Sequence, residues 1–106
     1  MRQGDGFTYK FEEPNKSRPV LILTRTDLIS RLNVVTIAEI TTTLRDNDSE
    51  VWLDESDGMS EDCAVNLTNI QTVEKNKISS YITHLSSEKM REVREAIEFA
   101  FNFKNL

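Results

Sequence analysis

The chain has 106 residues, 38% of them apolar, with 13 Lys plus Arg against 18 Asp plus Glu and a formal charge of −5. That length supports one domain, residues 1–106, around one modest core, and the acidic balance excludes a protein that coats duplex DNA by general electrostatic attraction. A single cysteine, Cys63, excludes an internal disulfide, and no Cys/His set has zinc-ligand spacing.

Residues 1–50 carry seven basic and eight acidic side chains and residues 51–106 six and ten, so an anionic ligand would be held locally and by the first half. The opening MRQGDGFTYKF has no apolar leader, and no apolar run approaches the ~20 residues that span a bilayer. The expectation is a soluble cytoplasmic protein, with no membrane association and no cofactor.

In chain order, Phe7, Tyr9 and Phe11 alternate with Thr8 and Lys10, the period of a half-buried strand, and Gly4 and Gly6 mark its start. EEPNKS (12–17) is a loop, and Pro19 begins a strand or lies on its edge, because it lacks an N–H. Val20 to Leu23 form a continuous apolar strand. Asp27 to Leu32 add a helical turn, and VVTIAEI (34–40) is a second β-rich run that ends in Thr41, Thr42 and Thr43.

LRDNDSE connects to a short strand, EVWL (50–53), and DESDG (54–58) is a turn with Gly58 as its permissive residue. CAVNL (63–67), IQTVE (70–74) and SSYITHL (79–85) complete a set of short strands suited to a small barrel or sandwich. The period then becomes helical. Ser86 is the N-cap, Glu88 sits in the first turn, and Met90, Val93, Ile97 and Phe101 form one apolar face. Arg91 with Glu95 and Arg94 with Glu98 are i,i+4 pairs on the other side.

Arg18 is the sharpest candidate for chemistry. Pro19 holds it extended at a stiff strand start, where a guanidinium can take a phosphate bidentately and keep its charge. Spacing alone favours the plainer alternative, a surface arginine paired with Glu12 or Glu13. Thr41, Thr42 and Thr43 offer hydroxyls to a phosphate or a 2′-OH, and equally suit an edge strand or an ST-turn.

His84, the single histidine, reads as a hydrogen-bonded structural residue and Cys63 as an inert core thiol. Asp54, Glu55, Asp57, Glu61 and Asp62 read as a solvated acidic turn, since placing Gly58 at the sixth position of a calcium loop puts Leu53 at the first. Asn66-Leu67-Thr68 matches a glycosylation sequon with no export signal to use it.

Taken together, Gly4-Asp5, RPVLIL (18–23), VVTIAEITTTLR (34–45), EVWL with DGM (50–59), DCAVNLTNIQTV (62–73) and ITHLSSEKMREVREAI (82–97) resemble, in order and spacing, the MazF/PemK family of toxin endoribonucleases. The resemblance implies a mainly β fold, a small SH3-like barrel of the CcdB/PemK kind with a C-terminal α-helix, working as a homodimer. It implies sequence-specific, metal-independent cleavage of single-stranded RNA by 2′-OH attack, leaving a 2′,3′-cyclic phosphate and a 5′-hydroxyl, with a cognate antitoxin as partner.

The family's catalytic arginine falls on Arg18 and its catalytic threonine on Thr41. The region it uses for RNA contact points to Asn69 and Gln71, with Thr42, Thr43, Lys16 and Ser17 beside the phosphate. Two features depart from the pattern. The EEPNKS loop is short and lacks the usual Gly-Ser-Glu-Gln stretch, which leaves Glu12 and Glu13 without a secure role; and Gly6 stands where an apolar residue is usual, so the first strand is either loosened there or bulged.

Two other functions share these features. A CcdB-like poison uses the same barrel to bind DNA gyrase, but needs neither the arginine nor the hydroxyls, and AFNFKNL lacks its tryptophan-glycine-isoleucine ending. A catalytically weakened interaction protein would retain the fold alone.

Overall fold

A computed structural model describes residues 1–12 and 16–103. Its strands are β1 (Asp5–Lys10), β2 (Ser17–Ile22), β3 (Val34–Thr41), β4 (Glu50–Leu53), β5 (Cys63–Glu74) and β6 (Ile78–His84); its helices are α1 (Thr26–Ile29) and α2 (Ser87–Phe101). The strands form one antiparallel sheet in the order β4-β5-β3-β2-β1-β6.

β2 is central, and its apolar run is covered on both faces: Val20, Leu21 and Ile22 are fully buried. Leu21 joins a core that β3, β4, β5 and α2 complete through Ala38, Val51, Leu67 and Val93. Val20 and Ile22 join a second core on the opposite face with Val35, Ile37 and the half-buried Phe7, Tyr9 and Phe11. Pro19 lies inside the strand, opposite Thr8 of β1, but pairing with β3 begins only at Val20. At Arg18 and Pro19 one flank of β2 is therefore an open edge, which is where a residue without an N–H fits.

The two short strands expected at 63–67 and 70–74 are one strand. Along β3, Ala38 faces Ile70 whereas Glu39 faces Asn66, so Leu67, Thr68 and Asn69 form a bulge in β5. Asn66 shapes it, its Oδ1 accepting from the Thr68 amide at 3.0 Å and the Thr68 hydroxyl at 2.6 Å. The polar Thr68-Asn69 pair bends the chain without ending its pairing. The bulge alternative at Gly6 is also realised, as a register shift against β6 between Gly6 and Phe7.

The two ends of the sheet meet. Thr83 Oγ1 of β6 donates to the Asp57 carbonyl beyond β4 at 2.8 Å. Gly58 follows with φ of +92°, and a Cβ there would collide with Thr83. This closure makes the curled sheet a small barrel, and α2 packs across β4 and β5.

Ser86 caps α2, its Oγ accepting from the Lys89 amide at 3.1 Å. Val93 and Ala96 are buried, with Met90 and Ile97 packed on the same core. Phe101 departs from the expected apolar face: it is half exposed and stacks on Phe103, just where Asn102, at φ 52°, ends the helix. Trp52, Phe99 and Phe103 are also exposed, so none is a core residue. Of the two i,i+4 pairs only Arg94 and Glu98 approach, at 3.9 Å.

Candidate active site

Side chains two apart on a strand share a face. Arg18 therefore shares the face of Val20, which lies directly opposite Glu39 of β3, and Thr41 shares the face of Glu39. At the open edge beside them is a cleft of about 350 Å³ lined by Lys16, Ser17, Arg18, Pro19, Ile40, Thr41, Thr42 and Thr43. Six of the predicted site residues thus meet in one place.

The partner of Arg18 differs from both acids expected. Its Nη1 lies 3.1 Å from Oε1 of Glu39; Glu12 makes no ion pair among the described residues, and Glu13 lies outside them. Glu39 is reached across the ladder, where facing side chains are neighbours. Sequence reading passed over Glu39, although a lone carboxylate in an apolar strand, two residues before the hydroxyl cluster and so in phase with it, was the available signal.

Asn69 projects from the β5 bulge and donates from Nδ2 to the other oxygen of Glu39 at 2.9 Å. It joins the site through that carboxylate. Gln71 sits opposite Ile37, exposed and away from the cleft lining.

Thr41 Oγ1 accepts from the Thr43 amide at 3.1 Å. The ST-turn is thus present, and it occupies an acceptor site while leaving the O–H as a donor. Thr42, Thr43 and Lys16 are exposed, and the Lys16 ammonium has no ion pair among the described residues.

The remaining titratable candidates lie elsewhere. His84 Nδ1 meets Oδ1 of the buried Asp5 at 2.8 Å, a structural bond between β1 and β6. Cys63 is buried at the start of β5, and burial, with the nearby carboxylate of Glu61, pushes its thiol up to about 11. The acidic turn is a capping box in which Asp54 accepts from Ser56 and Asp57 reaches back to the Asp54 amide. No group of acids among the described residues has the arrangement of a metal site.

A larger cleft, about 500 Å³, opens between β4 and α2, but Asp46, Asp48, Glu50, Glu92 and Glu95 line it. Its carboxylates would repel a phosphodiester, whereas the smaller cleft presents a guanidinium, an ammonium and hydroxyls. Of these two clefts, charge favours the smaller for an anionic ligand.

A sequence profile of PemK-like, MazF-like toxins of type II toxin–antitoxin systems matches residues 2–101. The chain belongs to this toxin family. Among family members, it is similar to the endoribonuclease MazF3 of Mycobacterium tuberculosis, 38% identical over 88 residues that cover 83% of this chain and 85% of that one. It is also similar to the probable endoribonuclease MazF2 of the same organism, 33% identical and covering 92% and 94%. The solved structure of Mycobacterium tuberculosis toxin MazF-mt6 superposes with a TM-score of 0.86 at 34% identity, covering 92% of this chain and 96% of that chain. The small barrel with a C-terminal helix is therefore the fold of the PemK/MazF family.

Proposed function

We propose that this chain is a sequence-specific endoribonuclease toxin acting on single-stranded RNA, mRNA included, in the cytoplasm, and neutralised by a cognate antitoxin. The observation that carries the reading is the cleft itself: Arg18 and Thr41, from different strands, line it together with Lys16 and three further hydroxyl residues. In this reading Arg18 and Thr41 are catalytic, and Lys16, Ser17, Thr42, Thr43, Asn69 and Gln71 contact the RNA.

The chemistry needs no metal. The 2′-oxygen attacks the adjacent phosphorus as its proton leaves, the P–O5′ bond breaks, and the departing 5′-oxygen gains a proton, giving a 2′,3′-cyclic phosphate and a 5′-hydroxyl. Charge grows on the non-bridging oxygens meanwhile. With one nitrogen engaged by Glu39, Arg18 retains N–H donors for those oxygens, and Thr41 offers its O–H to the same group. Base contacts at Asn69 and Gln71 choose the site of cutting.

The functional unit in this reading is a homodimer, whose formation would cover the exposed Trp52, Phe99, Phe101 and Phe103.

The test is a long single-stranded RNA incubated with the purified protein in EDTA, beside the same strand carrying 2′-deoxyribose at the cut site. Expected are 5′-hydroxyl ends from the first and none from the second, with cutting strongly reduced in Arg18→Ala and Thr41→Ala. Equal binding of DNA and RNA without cleavage would remove the reading, and undiminished cutting by both variants would remove the site assignment.

A further inference from the structure

Glu39 has no part in the roles given above, yet it is the group through which the site is tied together. Oε1 meets Arg18 Nη1 at 3.1 Å and Oε2 meets Asn69 Nδ2 at 2.9 Å, with the carboxylate side chain only 16% exposed. The two partners come from opposite sides of β3: Arg18 from β2, Asn69 from the bulge of β5.

The bridge has two consequences. Engaging Nη1 restrains the guanidinium and leaves its remaining N–H groups for the cleft that Arg18 lines. The second concerns Asn69. An ionised carboxylate only accepts, so the amide must turn its NH₂ toward Glu39, and Oδ1 is the end left for a base. That acceptor favours a base edge bearing an N–H over an acceptor-only edge such as guanine O6/N7.

The geometry points to Glu39 as a positioning residue that sets both the phosphate-facing arginine and the base-facing amide, coupling cleavage rate to sequence preference. This rests on the nuclease reading of Arg18 and Asn69. A carboxylate beside an anion site also opposes RNA binding, so its value lies in orientation. Removing its charge should slow the reaction without weakening substrate binding, a pattern that a packing role does not produce.

The experiment compares the full-length protein with Glu39→Gln, which keeps volume and loses charge, and with Glu39→Ala. Three quantities are read: kcat and KM on a preferred RNA, the nucleotides flanking 5′-hydroxyl ends in a transcript pool, and the Asn69 side-chain amide resonance in the free protein. For Glu39→Gln the expectation is kcat lower by about 10- to 100-fold, the range for a misplaced reacting group. KM should be unchanged or lower, preference relaxed at one nucleotide, and the Asn69 resonance shifted.

Wild-type kcat with an unchanged cleavage motif overturns the proposal. So does a complete loss of kcat with the Asn69 resonance intact, because Glu39 would then transfer a proton and not position its neighbours. Failure of the unaltered protein to cut any RNA overturns the nuclease reading, whereas an Asn69 resonance unmoved in Glu39→Gln overturns the bridge itself.

Discussion

In the proposed nuclease reading Arg18 meets a carboxylate and a phosphate at once, a task suited to a planar fork with several fixed donors rather than a point charge. Arg18→Lys is therefore expected to lose roughly 10²-fold or more in kcat, close to the loss of a main transition-state donor, measured as the rate of new 5′-hydroxyl ends. Cys63 gives a pH prediction. Its thiol is held up to about 11 by burial, so the folded state keeps the proton longer than the unfolded chain. Stability from this group is full below the free thiol value of about 8.5 and falls as pH rises toward the folded value, a slope that Cys63→Ala should remove from urea titrations. The Ser56 hydroxyl and amide bonds lower the Asp54 carboxyl, whose favourable effect is present above the ordinary carboxylate range and lost on acidification. An NMR titration should find Asp54 below that range and moved up in Ser56→Ala.

Among the elements, α2 is held by one capped end and one apolar stripe. Ser86→Ala removes the bond to the Lys89 amide and should cost about 1 kcal/mol in urea unfolding. Gly58 closes the barrel in a backbone conformation that side chains rarely adopt, facing Thr83. Gly58→Ala should cost roughly 1–2 kcal/mol or more, and a second change, Thr83→Ala, would relieve the collision while leaving the backbone cost. The β5 bulge was invisible in the sequence as a bulge. Thr68 and Asn69 announced an interruption, but whether the chain turns back or merely kinks depends on whether β3 continues beside it.

The whole molecule is acidic, yet its candidate cleft presents two cations, Lys16 and Arg18. With about 0.7 counterions released per phosphate neutralised on a single strand, log K against log salt should have a slope near −1.4 per cleft, far shallower than for a protein that coats duplex DNA. The acids gather elsewhere, around the cleft between β4 and α2. Whole-molecule association is expected to depend on the exposed aromatic residues: light scattering should report two chains, shifting toward one in Phe99→Glu combined with Phe103→Glu.

Strand and helix periodicity, the helix cap and the buried thiol were local matters, legible because period, capping chemistry and apolar runs act over a few residues. So was the ordered series of motifs that marks the toxin family. The partner of Arg18 was not legible. Which of several acids meets a given arginine depends on strand order and register, and only the folded sheet brings β2, β3 and the bulge of β5 side by side, selecting Glu39 over its sequence-near rivals and turning Asn69 toward it.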